Sequence, residues 1–214
     1  MAIIVRQLGL CDYQQTWDTM RNFVDAATTD SDEEIWLLQH PPVYTLGRSG
    51  KREHLLRETA IALIHSDRGG QITYHAPGQL VAYLMLNISR RRLGLRHLVR
   101  ALETAIINFL AVHNIIANGD NTAPGVYVDG AKIAALGLRL RRGWSYHGIS
   151  LNVNMDLAPF GDINPCGYQG LAVTQIVDLL PTSPPLPSLD ALQSELTQHL
   201  LAALNATEQP AAAI

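Results

Sequence analysis

The sequence contains few cysteines, no excess of one charge and no long apolar run, and each shortage argues against a class of protein. Its 214 residues include only Cys11 and Cys166, and the N-terminal residues are not expected to form a signal peptide, so no structural disulfide is expected. The formal net charge of −3 gives no overall attraction to nucleic acid or to an anionic membrane. No stretch approaches the roughly 18 apolar residues of a spanning helix. We therefore expect a cytoplasmic protein that binds neither nucleic acid nor membrane.

Motifs for metals and common cofactors are also missing. The eight histidines are scattered, and no His/Cys cluster has the spacing of metal ligands. The sequence has neither the Walker pattern nor GxGxxG, which argues against a phosphate-binding loop. We expect no metal and no cofactor.

Two local basic clusters, Arg90–Arg92 and Arg139–Arg142, could face an acidic partner, although such clusters are usually solvated.

Helical periodicity is clear in three segments. Apolar residues recur every three or four positions over 13–27 and 95–110, which predicts two amphipathic helices. A third helix is predicted to begin at Leu189, with Ser188 as its N-cap. A short helix is predicted near Val173.

Apolar runs bounded by glycine and proline indicate strands between these helices. Strands are predicted over 34–40, 43–47, 61–65, 80–88, 126–128, 131–140 and 144–155, the first two as a pair. Asp129-Gly130 predicts a hairpin, because both central residues of that turn need positive φ. Residues 68–79 are expected to form an ordered, irregular loop. Together these elements predict an α+β domain with a mixed β-sheet over residues 1–206, followed by a disordered tail at 207–214.

Cys166 lies in the segment INPCGYQG, which is rich in proline and glycine. Reactive cysteines need access and an environment that favours the thiolate, whereas structural cysteines lie among apolar neighbours. The loop position therefore makes Cys166 a candidate nucleophile, with a structural thiol as the alternative. Cys11 has no such setting and is expected to be inert.

Lys132 stands on a predicted strand. If 131–140 is regular, alternation places Lys132 on the same face as Ala134, Leu136, Leu138 and Leu140, which is otherwise apolar. A lysine there either extends to the surface or finds an anionic partner. The second alternative would pair the ammonium with a thiolate and lower the pKa of that thiol.

The glycine-rich segment 68–79 is a further candidate, because glycines let a backbone approach a ligand closely. The alternative is a turn between strands. Within it, His75 could transfer protons or simply be hydrogen-bonded. His147 lies on the face of Ile149, Leu151 and Val153, which favours a core histidine with satisfied hydrogen bonds.

Four segments in order carry a family resemblance: PPVYTLGRSGKREHLL, RGGQITYHAPGQLVAYLMLNI, PGVYVDGAKIAALGLRLRRGWSYHGISLNVNMDL and INPCGYQG. Together, over roughly residues 35–178, they resemble the lipoyl(octanoyl) transferase family. The resemblance implies the fold of biotin and lipoate protein ligases, a mixed sheet flanked by helices, and a single catalytic acyltransferase domain. Ala76 departs from the family's usual glycine, which would cost about 1 kcal/mol if that position needs φ above zero.

The resemblance also implies roles for individual residues. Cys166 would carry the acyl thioester, and Lys132 would lower the pKa of its thiol. The substrate-binding residues implied by the resemblance are Arg68, Gly69, Gly70, Gln71, Ile72, Thr73, Tyr74, His75, Ala135, Leu136, Gly137, Gly148, Ile149 and Ser150. Backbone N–H groups near Gly70 or Gly148 could stabilise the oxyanion, and Lys132 or His75 could deprotonate the incoming amine.

The implied reaction moves octanoyl from octanoyl-acyl carrier protein to a specific lysine of a lipoyl domain. The acceptors would be the E2 subunits of 2-oxoacid dehydrogenases and the glycine cleavage H protein, and the enzyme would act as a monomer. Three alternatives stay open: an ATP-dependent lipoate or octanoate ligase, a cysteine acyl hydrolase, and a non-catalytic module that binds the carrier protein. Cys166 argues against the ligase, because adenylate chemistry needs no thiol nucleophile.

Overall fold

The computed structural model describes residues 3–120, 122–181 and 185–207, and of Cys166 only the backbone. The described strands are β1 (Ile3–Leu10), β2 (Glu33–Gln39), β3 (Val43–Leu46), β4 (Ala62–His65), β5 (Ile72–His75), β6 (Gln79–Met85), β7 (Asn118–Gly119), β8 (Gly125–Val128), β9 (Ala131–Arg141) and β10 (Trp144–Asn152). The described helices are α1 (Tyr13–Ala26), α2 (Ile88–Arg91), α3 (Leu95–Val112), α4 (Ile176–Leu179) and α5 (Leu189–Ala206). None of these helices has the length and apolar character needed to cross a bilayer.

The strands form two sheets. The larger has the order β1-β2-β6-β10-β9-β8-β7, and the smaller has the order β4-β3-β5. Each sheet is mixed, because β1 pairs with β2 and β3 with β4 in parallel, whereas the other pairs are antiparallel. The predicted α+β class with a mixed sheet is confirmed.

The central strands of the large sheet are covered on both faces. In β6, Leu80, Ala82 and Leu84 join a core with α3 and α5, whereas the alternating Val81 and Tyr83 join a second core with α1. A strand buried on both faces needs apolar side chains at every position, which explains the continuous run LVAYLML. The predicted flanking of the sheet by helices is confirmed.

Several predicted elements have the expected form. The helices at 13–26 and 95–112 are present, and the Ser188 hydroxyl accepts from the Ala191 N–H as the N-cap of α5. Asp129 and Gly130 both have positive φ, 48° and 81°, as a tight hairpin turn requires. The short helix α4 begins at Ile176, three residues after Val173. The tail predicted at 207–214 lies outside the described residues from 208 onward.

Two predictions of local structure are wrong, and one strand was not predicted. The predicted irregular loop 68–79 contains β5, which pairs with β3. Flanking glycines and Pro77 obscured a short run of β-branched and aromatic residues that tertiary pairing makes a strand. The first two predicted strands do not pair, because the break at Pro41-Pro42 sends β2 and β3 into different sheets. No strand was predicted at β1, whose residues are mostly exposed.

Candidate active site

The structure brings the three predicted substrate-binding segments together around one cavity of about 50 Å³. The cavity lies between the small sheet and β9 and β10 of the large one. It is lined by Tyr13, Arg68, Gly70, Gln71, Ile72, Thr73, His75, Val81, Tyr83, Ala135, Leu136, Gly137, His147, Gly148, Ile149 and Ser150. Two predicted residues lie elsewhere: Gly69 lines a neighbouring cavity, and Tyr74 packs against Phe160 in the core of the small sheet.

Glycines allow the backbones around this cavity to approach one another. The Gly69 N–H donates to the Leu138 carbonyl at 2.9 Å, so the loop before β5 crosses directly over β9. A Cβ on Gly137 would lie 2.9 Å from the Gly69 carbonyl oxygen, and one on Gly148 only 2.0 Å from that of Ala82. Side chains at these two positions would push the backbones apart, so the cavity depends on glycine there.

Arg68 holds this loop in place from inside. Its guanidinium is buried and donates to the carbonyls of Thr45 at 2.5 Å, Gln71 at 2.7 Å and Gly69 at 2.9 Å. Buried charges need hydrogen-bond partners, and here the loop backbone supplies them. Although it borders the cavity, Arg68 orders the loop through these bonds.

Ala76 does not have positive φ, so the alanine in place of the family's glycine carries no such strain.

A second cavity, of about 280 Å³, adjoins the first. The two share Gly70, Gln71, Leu136 and Gly137 as walls. The second cavity continues to Val99 of α3, to Pro124 and to the exposed Tyr168, two residues beyond Cys166. It lies between these shared walls and the surface near the Cys166 loop.

Lys132 is only 4% exposed, so its side chain does not extend to the surface and the first of its two alternatives is wrong. Its Nζ donates to the Pro124 carbonyl at 3.2 Å and lies 5.0 Å from the centroid of the Tyr127 ring. A Cβ on Gly125 would be 3.0 Å from this nitrogen, so the ammonium occupies space that any side chain at Gly125 would take.

The strand that carries Lys132 is not regular. Tyr127 of β8 pairs with Lys132, but the next residue back, Val126, pairs with Ala134, which leaves Ile133 as a bulge. The simple alternation that placed Lys132 with Ala134 and Leu136 therefore fails at this point. The bulge turns the lysine side chain toward Gly125 while Ile133 and Ala134 both remain in the core.

The loop of Cys166 is held on both sides. Before it, the Asn164 N–H donates to the His54 carbonyl at 2.8 Å; after it, Lys132 exchanges backbone hydrogen bonds with Ala172 at 2.8 Å and Thr174 at 3.0 Å. Cys166 itself lies on a 3-10 turn, Pro165–Gly167. Its thiol, and hence the predicted thiolate–ammonium contact, lies outside the described residues.

A buried hydrogen-bond network lies beside the cavity, and two of its members, His40 and Tyr83, were not among the predicted site residues. The Nδ1 of His40 lies 2.7 Å from the Cys11 carbonyl, so this nitrogen carries the proton and Nε2 accepts from the Tyr83 hydroxyl at 2.7 Å. The Nδ1 of His75 likewise donates to the Gln79 side-chain oxygen at 2.7 Å. Burial lowers the pKa of His40 to about 4 and that of His75 to about 3, so both are neutral at pH 7.

These two histidines predict that the protein loses stability in mild acid. Above the ordinary histidine pKa of about 6.5, the two histidines are neutral in both the folded and the unfolded chain, and their contribution to the free energy of unfolding is at its maximum. It is lost as pH falls toward the folded-state values of about 4 and 3, because the unfolded chain binds protons first. Each histidine costs about 1.4 kcal/mol per pH unit, so unfolding free energy should fall by up to about 5 kcal/mol between pH 6.5 and 4.5. Urea unfolding across this range measures it.

The control compares His40→Gln and His75→Gln with the parent protein. Each variant should be less stable at pH 7.5 but should show a shallower decline of unfolding free energy with acid, because one depressed titration has been removed. An unchanged slope in both variants would assign the acid sensitivity to other groups.

His147 differs from the satisfied core histidine that its strand pattern predicted. Its Nε2 donates to Asp67 at 2.9 Å, but its buried Nδ1 has no hydrogen-bond partner among the described residues. The Trp17 indole N–H, at 2.8 Å, and the Tyr146 hydroxyl also donate to Asp67. Burial raises the pKa of Asp67, but these hydrogen bonds outweigh it and hold that pKa below its ordinary value. His147 also has a φ of 59°, unusual for a non-glycine residue within a strand.

The signals for this network were weak in the sequence, because its partners lie far apart. Asp67 is 80 residues from His147, and Tyr83 is 43 residues from His40. The only signal in the sequence for Asp67 and Tyr83 was their position just before and just after the glycine-rich segment 68–79. The Cys11 thiol donates to the Leu8 carbonyl at 3.2 Å, and burial raises its pKa, so its setting does not favour the thiolate; that Cys11 is inert stays a prediction.

Comparisons with known proteins find relatives over most of the chain. Residues 12–201 match the family described as the lipoyl protein ligase A/B catalytic domain. The octanoyltransferase of Aromatoleum aromaticum is 59% identical over 177 residues, 83% of this chain and 77% of that protein.

Solved structures show the same fold at low identity. A bipartite lipoate protein ligase from Thermoplasma acidophilum superposes with a TM-score of 0.74 at 14% identity, covering 96% of this chain and 84% of that one. Biotin protein ligase from Aquifex aeolicus gives a TM-score of 0.55 at 12% identity, covering 97% of this chain and 71% of that one. The expected biotin and lipoate protein ligase fold is therefore confirmed.

Proposed function

The chain belongs to the family of the lipoyl protein ligase A/B catalytic domain and is an acyltransferase that transfers octanoyl groups in protein lipoylation, and on that premise we propose how it does so. Octanoyl-acyl carrier protein donates the acyl group to Cys166, and a specific lysine of a lipoyl domain then accepts it. The observation that carries this proposal is the position of the Cys166 loop. It is bonded to the backbone of Lys132 and adjoins the cavity through Tyr168.

The lining of the inner cavity suits part of an acyl chain. The residues that line it include the apolar Ile72, Val81, Leu136 and Ile149. Burial of methylene groups against such walls contributes about 0.8 kcal/mol each. The wider second cavity, which opens beside the Cys166 loop, has room for the thiol arm of the carrier.

In the first step, the Cys166 thiolate attacks the carbonyl carbon of the octanoyl thioester. The carbon–sulfur bond to the carrier then breaks, and the carrier leaves as a thiol after taking up a proton. The buried ammonium of Lys132 would favour the thiolate form of Cys166. Because one thioester replaces another, the step needs no ATP.

In the second step, the acceptor amine attacks the acyl-enzyme, loses a proton and forms an amide while the Cys166 sulfur leaves. Of the two predicted bases, His75 is poorly suited. Its Nδ1 is bonded to Gln79, and burial lowers its pKa to about 3. Lys132 is thus the better candidate for proton transfer: its ammonium gives a proton to the leaving carrier thiolate in the first step, and the neutral amine then takes one from the acceptor lysine in the second. The N–H of Gly70, a residue that borders both cavities, is the better placed of the two predicted oxyanion donors.

The two basic clusters of the sequence offer less support for docking the acidic carrier. Arg91 is buried against Glu33 at 2.5 Å, and Arg90 also bonds Glu33 at 3.1 Å. Arg141 pairs with Asp25 through two nitrogens, at 2.6 and 3.0 Å. Arg90, Arg91 and Arg141 are thus engaged in intramolecular ion pairs, which makes them less available to an acidic partner.

The proposal predicts an octanoyl adduct on Cys166. Mixing the protein with octanoyl-acyl carrier protein, without ATP, should increase its intact mass by one octanoyl group, and peptide mapping should place that group on Cys166. Adding a lipoyl domain should remove the adduct and acylate the domain.

Cys11→Ser is the matched control and should acquire the same adduct. Octanoylation that requires free octanoate and ATP would identify a ligase instead, a reading that the shared fold with a lipoate protein ligase keeps open. Steady release of free octanoate without an acceptor would identify a hydrolase.

A further inference from the structure

The inner cavity lies over a row of small residues on β9 and β10, and this row ends at the side chain of His147. Where β9 and β10 pair beneath the cavity, the facing residues are small: Ala135 opposite Ser150, then Gly137 opposite Gly148. The next residue of β10, His147, also lines the cavity, and its imidazole meets the ring of Tyr83, another lining residue, edge-on at 5.9 Å. Small residues leave a groove over the sheet, and the ring closes it.

We propose that the His147 imidazole, held by Asp67, is the stop that limits the acyl chain to about eight carbons. This inference rests on the proposed function, since it takes the acyl carbonyl to lie near Lys132. It assigns to His147 a role in chain-length selection, and to Asp67 the positioning of that ring.

The dimensions of the sheet support this assignment. Gly125, which lies against the Lys132 ammonium, pairs with Ala135, so the charged end of the groove is at the level of Ala135. His147 pairs with Leu138, three residues further along β9. Three strand residues span about 10 Å. An extended octanoyl chain, with seven C–C bonds of about 1.5 Å in a zigzag, has a length of roughly 9 Å.

The ring of His147 is fixed from several sides, as a stop requires. Its Nε2 is bonded to Asp67, which is itself held by Trp17 and Tyr146. The Tyr146 ring stacks on the imidazole with centroids 4.9 Å apart, and Tyr83 meets it edge-on at 5.9 Å. A longer acyl chain would have to displace the ring and break these contacts together.

Two features of His147 are costly for a residue that only fills the core. Its buried Nδ1 has no hydrogen-bond partner among the described residues, and its φ of 59° lies in the left-handed region. Unpaired polar atoms and backbone strain tend to persist where function requires them. The positive φ also brings the ring to the cavity at a point where regular alternation would direct it to the other face.

The test measures kcat/KM for carrier-bound acyl chains of six, eight, ten and twelve carbons. In the parent protein, kcat/KM should fall at least tenfold for each two carbons beyond eight. His147→Gly and His147→Asn both tolerate positive φ and both shorten the side chain. Each should raise the ratio of twelve-carbon to eight-carbon kcat/KM at least tenfold.

His40→Asn is the matched control, because it also removes a buried imidazole from the network but does not border the cavity. Whatever its absolute activity, its preference among chain lengths should match that of the parent protein. A parallel fall for all lengths in both His147 variants, or equal use of eight and twelve carbons by the parent protein, would overturn the inference. Failure of the proposed function would look different: no chain of any length would form an adduct on Cys166.

Discussion

Cys166→Ala is expected to reduce octanoyl transfer by at least about a thousandfold while the protein stays folded. The expected loss is large because both proposed steps use the sulfur, first as nucleophile and then as leaving group. The fold should survive because the described contacts of this loop are backbone hydrogen bonds from Asn164 to His54 and between Lys132 and the segment 172–174. Transfer to a purified lipoyl domain gives the rate, and thermal unfolding checks the fold.

Cys11→Ser should transfer octanoyl at the parental rate. In the parent protein the Cys11 thiol is far in sequence from Cys166, and burial raises its pKa. Cys166→Ser keeps the shape of the side chain but replaces a good nucleophile with a poor one, so it should be nearly as inactive as alanine. More than a few per cent of parental activity in Cys166→Ala would show that no thioester on this residue is needed.

The second large effect is expected at Lys132. An opposite charge within about 4–6 Å typically lowers a thiol pKa by 1–3 units from its free value of about 8.5. The rate of Cys166 alkylation by iodoacetamide should therefore rise with pH at a midpoint well below 8.5. Lys132→Met retains an apolar side chain in the buried site but removes the charge, so the midpoint should move to 8.5 or above and transfer at neutral pH should fall by at least about tenfold.

Gly125 supplies a matched test that leaves the lysine in the sequence. A Cβ at this position would be 2.9 Å from the Lys132 Cε, so Gly125→Ala should displace the ammonium and shift the alkylation midpoint in the same direction, by less. Lys132→Arg should not restore transfer, because a guanidinium is larger than the space beside Gly125 and does not act as a base at neutral pH. Identical alkylation profiles in the parent protein and Lys132→Met would mean that the lysine does not act on the thiol.

Local patterns were sufficient to predict the elements that depend on local physics. The helices α1, α3 and α5 follow from apolar spacing, and the turn at Asp129-Gly130 follows from the demand for positive φ. The strand β5 was not predictable in this way, since its four residues lie between glycines and gain their partner, β3, only in the folded chain.

The candidate site likewise has a part that the sequence predicted and a part that depends on contacts between distant residues. The segments around Gly70, Leu136 and Gly148 were found by resemblance, and the structure brings them to one cavity. The bulge at Ile133 was not predictable, because it arises from pairing between β8 and β9. The partnership of Asp67 with His147 was missed for a similar reason: neither residue has a local signal for the other.

The loop at Gly69 crosses over β9, so two parts of the chain that are distant in sequence must meet before the cavity can form. Contacts of this kind close a long loop and therefore form slowly, after the local hairpins and helices. A cavity built at such a crossing opens whenever the two sheets separate, even if each sheet remains intact. An acyl group seated there would bind only the joined state and would shift the balance toward it. Protection of the Gly69 amide from hydrogen exchange, bonded as it is to Leu138, would report that closure directly.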